Sequence, residues 1–64
     1  MLGKVKTYDK QKKYGFISGD DGIEYYFHEN EINLPSKYIS AGYTVQFNTA
    51  DGYPNPKALN VSIL

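Results

Sequence analysis

The chain has no cysteine, no tryptophan, a single histidine and no net charge, its seven lysines being matched by seven acidic residues. Without cysteine there are no disulfide staples and no thiolate metal sites, so a fold of 64 residues must hold by packing alone. One histidine would leave a zinc centre dependent on carboxylates, and no His-rich spacing supports one. No cofactor is expected. Apolar runs stay far short of the roughly 20 residues that span a bilayer, and Met1-Leu2-Gly3-Lys4 lacks the apolar segment of a signal peptide. The expected setting is cytoplasmic, with no membrane partner. Zero net charge also removes the general attraction to polyanions that a basic surplus would give.

What the chain does have is tyrosine, which makes up seven of its ten aromatic residues. A domain of this size buries only about 60% of its unfolded surface, so some of those rings must stay at the surface. Side chains alternate between the two faces of a strand. In Lys13-Tyr14-Gly15-Phe16-Ile17 that puts Tyr14 and Phe16 on one side, and in Ile23-Glu24-Tyr25-Tyr26-Phe27-His28 it puts Tyr26 and His28 on one side. Rings on an open sheet face can hold unstacked bases. Lys4, Lys6, Lys10, Lys12 and Lys13 cluster just before these arms, and lysine beside aromatic strands favours nucleic-acid contact.

Five strands are predicted, over residues 2–8, 14–18, 23–28, 42–48 and 57–64, within a single domain spanning 1–64. Strict alternation places Lys4, Lys6 and Tyr8 on one face of the first strand and Val5 and Thr7 on the other. It points Ile17, Val45 and Phe47 inward, and in the last strand sets Ala58, Asn60 and Ser62 against Leu59, Val61 and Ile63. Gly19-Asp20-Asp21-Gly22 and Asp51-Gly52-Tyr53-Pro54-Asn55-Pro56 carry turn chemistry. Residues 29–38 read as a long connection with one helical turn that Asn30 could cap, Pro35 limiting its extent. Five short strands with no helix of ordinary length predict a small all-β, antiparallel barrel, because closure removes exposed edges.

Gly3-Lys4-Val5-Lys6, Lys13-Tyr14-Gly15-Phe16-Ile17, Tyr25-Tyr26-Phe27-His28, Gly42-Tyr43-Thr44-Val45-Gln46-Phe47 and Ala58-Leu59-Asn60-Val61 follow the order and approximate spacing of the bacterial cold-shock proteins. The chain resembles that family over essentially its whole length. The resemblance implies a five-stranded OB-type barrel that binds single-stranded RNA or DNA, with an RNA-chaperone or cold-shock gene-regulation role. It places Tyr14, Phe16, Tyr26 and His28 in a stacking platform, Lys6 and Lys12 beside it for phosphate contact, and Tyr8 at the end of the first strand. Tyr38 and the loop residue Tyr53 are further candidates. Thr7 stands where the family usually has tryptophan, Glu29 where an aromatic commonly follows the histidine, and Lys13 where glycine is usual. Tyr25 and Phe27 replace small β-branched residues facing the core, so the Tyr25 hydroxyl needs a polar partner if it is buried.

Catalysis is not expected. Ser18 and Ser36 have no sequence relation to His28 that would pair them, and so small a barrel has little interior for a substrate pocket. The competing expectation is a protein-interaction or regulatory barrel with weakened nucleic-acid binding, which Thr7, Glu29 and the neutral charge favour. A monomer is the simpler state, although an exposed aromatic face leaves room for strand exchange between two copies.

Overall fold

Strand and turn alternate along the computed structural model, which describes residues 1–64. The strands are β1 Leu2–Asp9, β2 Tyr14–Gly19, β3 Glu24–His28, β4 Thr44–Ala50 and β5 Lys57–Ile63, each close to its expected span. They close into a barrel in the order β1-β2-β3-β5-β4. Every seam is antiparallel except β3 with β5, which run parallel and meet at Tyr26 and Lys57. The closed five-stranded barrel is as expected, with one parallel seam among its antiparallel ones. An odd number of strands cannot alternate in direction all the way round a closed ring, so one seam has to be parallel.

The inward residues form one core of Val5, Ile17, Tyr25, Phe27, Ile32, Ile39, Val45, Phe47, Ala58 and Val61. Two bulges break the alternation read from the sequence. In β1, Val5 pairs with Ile17 but Thr7 pairs with Phe16, so Lys6 is the extra residue. The parity beyond it is reversed. Thr7 comes out onto the exposed face, while Tyr8 turns in to stack on Phe27 with ring centroids 5.9 Å apart. In β5, Ser62 pairs with Gln46 and Leu59 with Asn48, leaving Asn60 and Val61 opposite Phe47. Asn60 takes a positive φ of 51°, and Ala58 and Val61, three residues apart, both point inward. The expected grouping of Ala58 with Asn60 and Ser62 fails there, because a bulge adds a residue that a period of two cannot contain.

Residues 29–43 cross the barrel end with two 3₁₀ turns, Glu29–Glu31 and Ser36–Tyr38. The first is capped not by Asn30 but by His28, whose Nδ1 accepts the Asn30 N–H at 3.2 Å. Ile32 seals this end through a parallel bridge to Val61, and Leu34 packs against the core. The second turn is tied to β1 by the Tyr8 hydroxyl and Ser36 Oγ, 2.6 Å apart. Tyr25 is buried edge-on to Phe47, and its hydroxyl donates to the Asp21 carboxylate in the β2–β3 turn. The buried phenol therefore has the polar partner that its position demands.

Candidate nucleic-acid interface

The β2–β3 hairpin keeps its alternation, because no bulge interrupts it and its register runs unbroken from Tyr14 opposite His28 to Ser18 opposite Glu24. Gly15, Ile17, Tyr25 and Phe27 go in; Tyr14, Phe16, Tyr26 and His28 are half-buried on the outer face. Gly15 is required by a close approach: a Cβ there would overlap the Thr7 carbonyl oxygen and press on the Tyr8 backbone.

Three of the outer rings support one another. Tyr14 and Tyr26 are 5.5 Å apart and tilted by 37°, and Phe16 stands nearly edge-on to both, at 6.1 Å from Tyr14 and 6.0 Å from Tyr26. Such contacts fix ring orientation and add to stability beyond the area buried. The loop between β4 and β5 faces this trio. Tyr14, Phe16, Tyr26, Tyr53, Pro54 and Asn55 line a cleft of about 250 Å³. Two bonds hold the loop's end against β3: the Tyr26 N–H donates to the Pro56 carbonyl at 2.9 Å, and Asn55 Nδ2 donates to the Glu24 carbonyl at 3.3 Å. The Tyr53 ring, 98% exposed, has no packing partner of its own.

The other candidates lie elsewhere. Tyr8 is removed from the exposed face by the β1 bulge, and both its ring and its hydroxyl are engaged inside. Tyr38 is exposed on the second 3₁₀ turn, with Lys37 Nζ 5.1 Å above its ring, and does not line the cleft. His28 extends the outer row beside Tyr14, its Nδ1 held by the Asn30 N–H. Lys6 reaches across β2 to an ion pair with Glu24 at 2.7 Å. Lys12 is exposed on the β1–β2 turn, where Asp9 Oδ1 accepts the N–H groups of Gln11 and Lys12. Lys13 closes this turn with φ of 65°, the left-handed conformation that favours glycine. Thr7, opposite Phe16, marks the β1 edge of the aromatic surface.

Sequence reasoning missed Glu24, Pro54 and Asn55. Glu24 reads as an ordinary exposed strand residue, and its pairing with Lys6 depends on three strands lying side by side. Pro54 and Asn55 read as turn formers, and only the parallel seam brings their loop to β3. No group of three or more His, Cys, Asp or Glu side chains is arranged to hold a metal ion. No helix is long and apolar enough to cross a membrane.

Comparison with known proteins points to one family. A family model described as 'Cold-shock' DNA-binding domain matches residues 1–64. A cold shock-like protein of Thermotoga maritima is 35% identical over 65 residues, covering 100% of this chain and 98% of the relative. A cold shock-like protein of Bacillus cereus is 36% identical over 62 residues, covering 95% of each. Among solved structures, Drosophila Unr CSD456 superposes with a TM-score of 0.72 at 18% identity, over 98% of this chain and 26% of that one. At that identity the likeness concerns the fold.

Proposed function

This chain belongs to the 'Cold-shock' DNA-binding domain family, and on that premise we propose that it binds single-stranded RNA or DNA by stacking bases on the outer face of β2 and β3. The observation that carries this reading is the trio Tyr14, Phe16 and Tyr26, oriented by mutual contact and half-exposed toward an open cleft. A base presents an apolar π face whichever nucleotide it belongs to, and each stacked ring contributes about 1 to 3 kcal/mol by alanine substitution. His28 continues the row beside Tyr14, and Tyr53 offers a ring from the opposite wall.

Stacking is the larger part of the binding energy in this reading. The chain has no net charge, and Lys6 must leave Glu24 before it can meet a phosphate. Lys12 is exposed beside the platform strands and follows the phosphates without that cost. The expected salt dependence is therefore shallow. The proposed role is binding without chemical change: trapping unpaired segments as an RNA chaperone, or regulating genes in the cold-shock response.

An NMR titration with a short thymidine or uridine strand tests the reading. Shifts clustered at Tyr14, Phe16, Tyr26 and His28 are expected. No shifts at high ligand concentration would overturn it in favour of the second reading, a regulatory or protein-interaction barrel that has lost affinity. The Lys6–Glu24 pair favours that second reading, because it places a carboxylate beside the path a phosphate backbone would take.

A further inference from the structure

The cleft has one polar wall, and its donor and acceptor assignment is fixed. Asn55 Nδ2 donates to the Glu24 carbonyl at 3.3 Å. Rotating the amide by a half turn would set oxygen against oxygen, so chemistry decides which end is which. The Asn55 Oδ1 accepts no hydrogen bond within the chain, and no buried side-chain nitrogen or oxygen is left without a partner. That oxygen is therefore solvent-accessible, on a residue that lines the cleft with Tyr14, Phe16, Tyr26, Tyr53 and Pro54. At about 250 Å³ the cleft falls below the roughly 300 to 1,000 Å³ of a drug-sized site, a size suited to a single planar ring.

We propose that Asn55 is a specificity-determining residue: its Oδ1 accepts a hydrogen bond from the ring N3–H of a thymine or uracil stacked in the cleft. Stacking on the platform is indifferent to base edges, whereas a fixed acceptor beside it is not. Cytosine presents an unprotonated N3 at the same point, acceptor against acceptor. The Glu24 carbonyl acts through Asn55, holding the amide so that it does not turn its donor end to the base. This inference rests on the single-strand binding proposed above.

The test compares a short thymidine strand with the same strand methylated at N3 of every thymine, measured against the intact chain and against Asn55→Ala and Tyr53→Ala. Heteronuclear NMR spectra first establish that each variant is folded. The intact chain is expected to prefer the unmodified strand by about 2- to 12-fold, the factor one neutral hydrogen bond supplies. Asn55→Ala should bring that ratio to about one by weakening only the unmodified strand. Tyr53→Ala should weaken both strands alike and preserve the ratio. Equal affinity of the intact chain for both strands overturns the inference while leaving stacking intact. So does a ratio that survives Asn55→Ala. If the intact chain binds neither strand, the single-strand reading fails, and this inference with it.

Discussion

Lys6 and Glu24 form an ion pair of 2.7 Å across the outer face of β2, joining β1 to β3 beside the aromatic surface. The lysine side chain is half-exposed and the glutamate somewhat less, so the pair itself adds only about 0.2 to 1 kcal/mol to stability. Its larger effect is on charge. On the proposed reading, the lysine expected at a phosphate carries its own counter-ion, and a polyanion must compete with it.

Glu24→Gln should therefore tighten binding to a short single strand at low salt. It should also steepen the slope of log affinity against log salt by about 0.7, the increment for one further phosphate contact on single-stranded nucleic acid. Lys6→Ala alone should leave the slope nearly unchanged while weakening binding modestly at low salt, because it leaves the Glu24 carboxylate unpaired, and in the Glu24→Gln background it should abolish the gain. If Lys6→Ala alone removed a full contact's worth of slope, the lysine would be free in solution.

Phe16 and Tyr8 should separate binding from folding. Phe16 lies on the outer face, so Phe16→Ala is expected to weaken oligonucleotide binding by about 1 to 3 kcal/mol with the fold retained. Tyr8 stacks on Phe27 inside the barrel end. Tyr8→Ala should instead lower unfolding stability by about 2 to 4 kcal/mol, short of the loss for a fully buried aromatic. Urea denaturation and fluorescence binding measured on both variants check the pair. A stable Tyr8→Ala protein with impaired binding would contradict the inward placement.

Lys13 occupies the left-handed region at φ of 65°. An L-residue there costs roughly 1 to 2 kcal/mol, part of which glycine returns through its greater freedom in the unfolded chain. Lys13→Gly should raise stability by about 0.5 to 1 kcal/mol, read as a higher urea midpoint with an unchanged m-value. A lower midpoint would show that the side chain contributes more than its backbone conformation costs.

The Asp21–Tyr25 bond gives stability a pH dependence at both extremes. The Tyr25 hydroxyl, and then the Ile23 N–H, hold the Asp21 carboxyl below its ordinary value. The same carboxylate, with desolvation behind it, holds the Tyr25 phenol above its own. Where the folded carboxyl pKa is depressed, its contribution is complete above the unfolded value of about 3.9 and is lost as pH falls through the folded value. Where the folded phenol pKa is raised, its contribution is complete below about 10 and is lost as pH rises through the folded value. Urea midpoints measured from about pH 2 to about pH 11 should fall more steeply at both ends for the parent chain than for Tyr25→Phe. Parallel curves would show that the bond does not couple to folding.

The sequence by itself determined the β2–β3 hairpin. Its turn residues, its alternation and its glycine are all local, and with no bulge between Tyr14 and His28 a period of two carries each side chain to its proper face. The same locality explains Val45 and Phe47, and the need of the Tyr25 phenol for a polar partner, which the fold supplies as Asp21. Closure into a barrel was also legible, from five strands and no helix. Tertiary structure alone decided the rest. A single extra residue at Lys6 reversed the parity that would have brought Tyr8 outward, because bulges answer to the curvature of a closed sheet rather than to local pattern. The parallel seam of β3 with β5 follows from closing an odd number of strands, and it brings Tyr53 and Asn55 over the rings of a hairpin some thirty residues earlier. The pairing of Lys6 with Glu24 has the same origin: two ordinary surface charges became partners only when β1, β2 and β3 lay side by side.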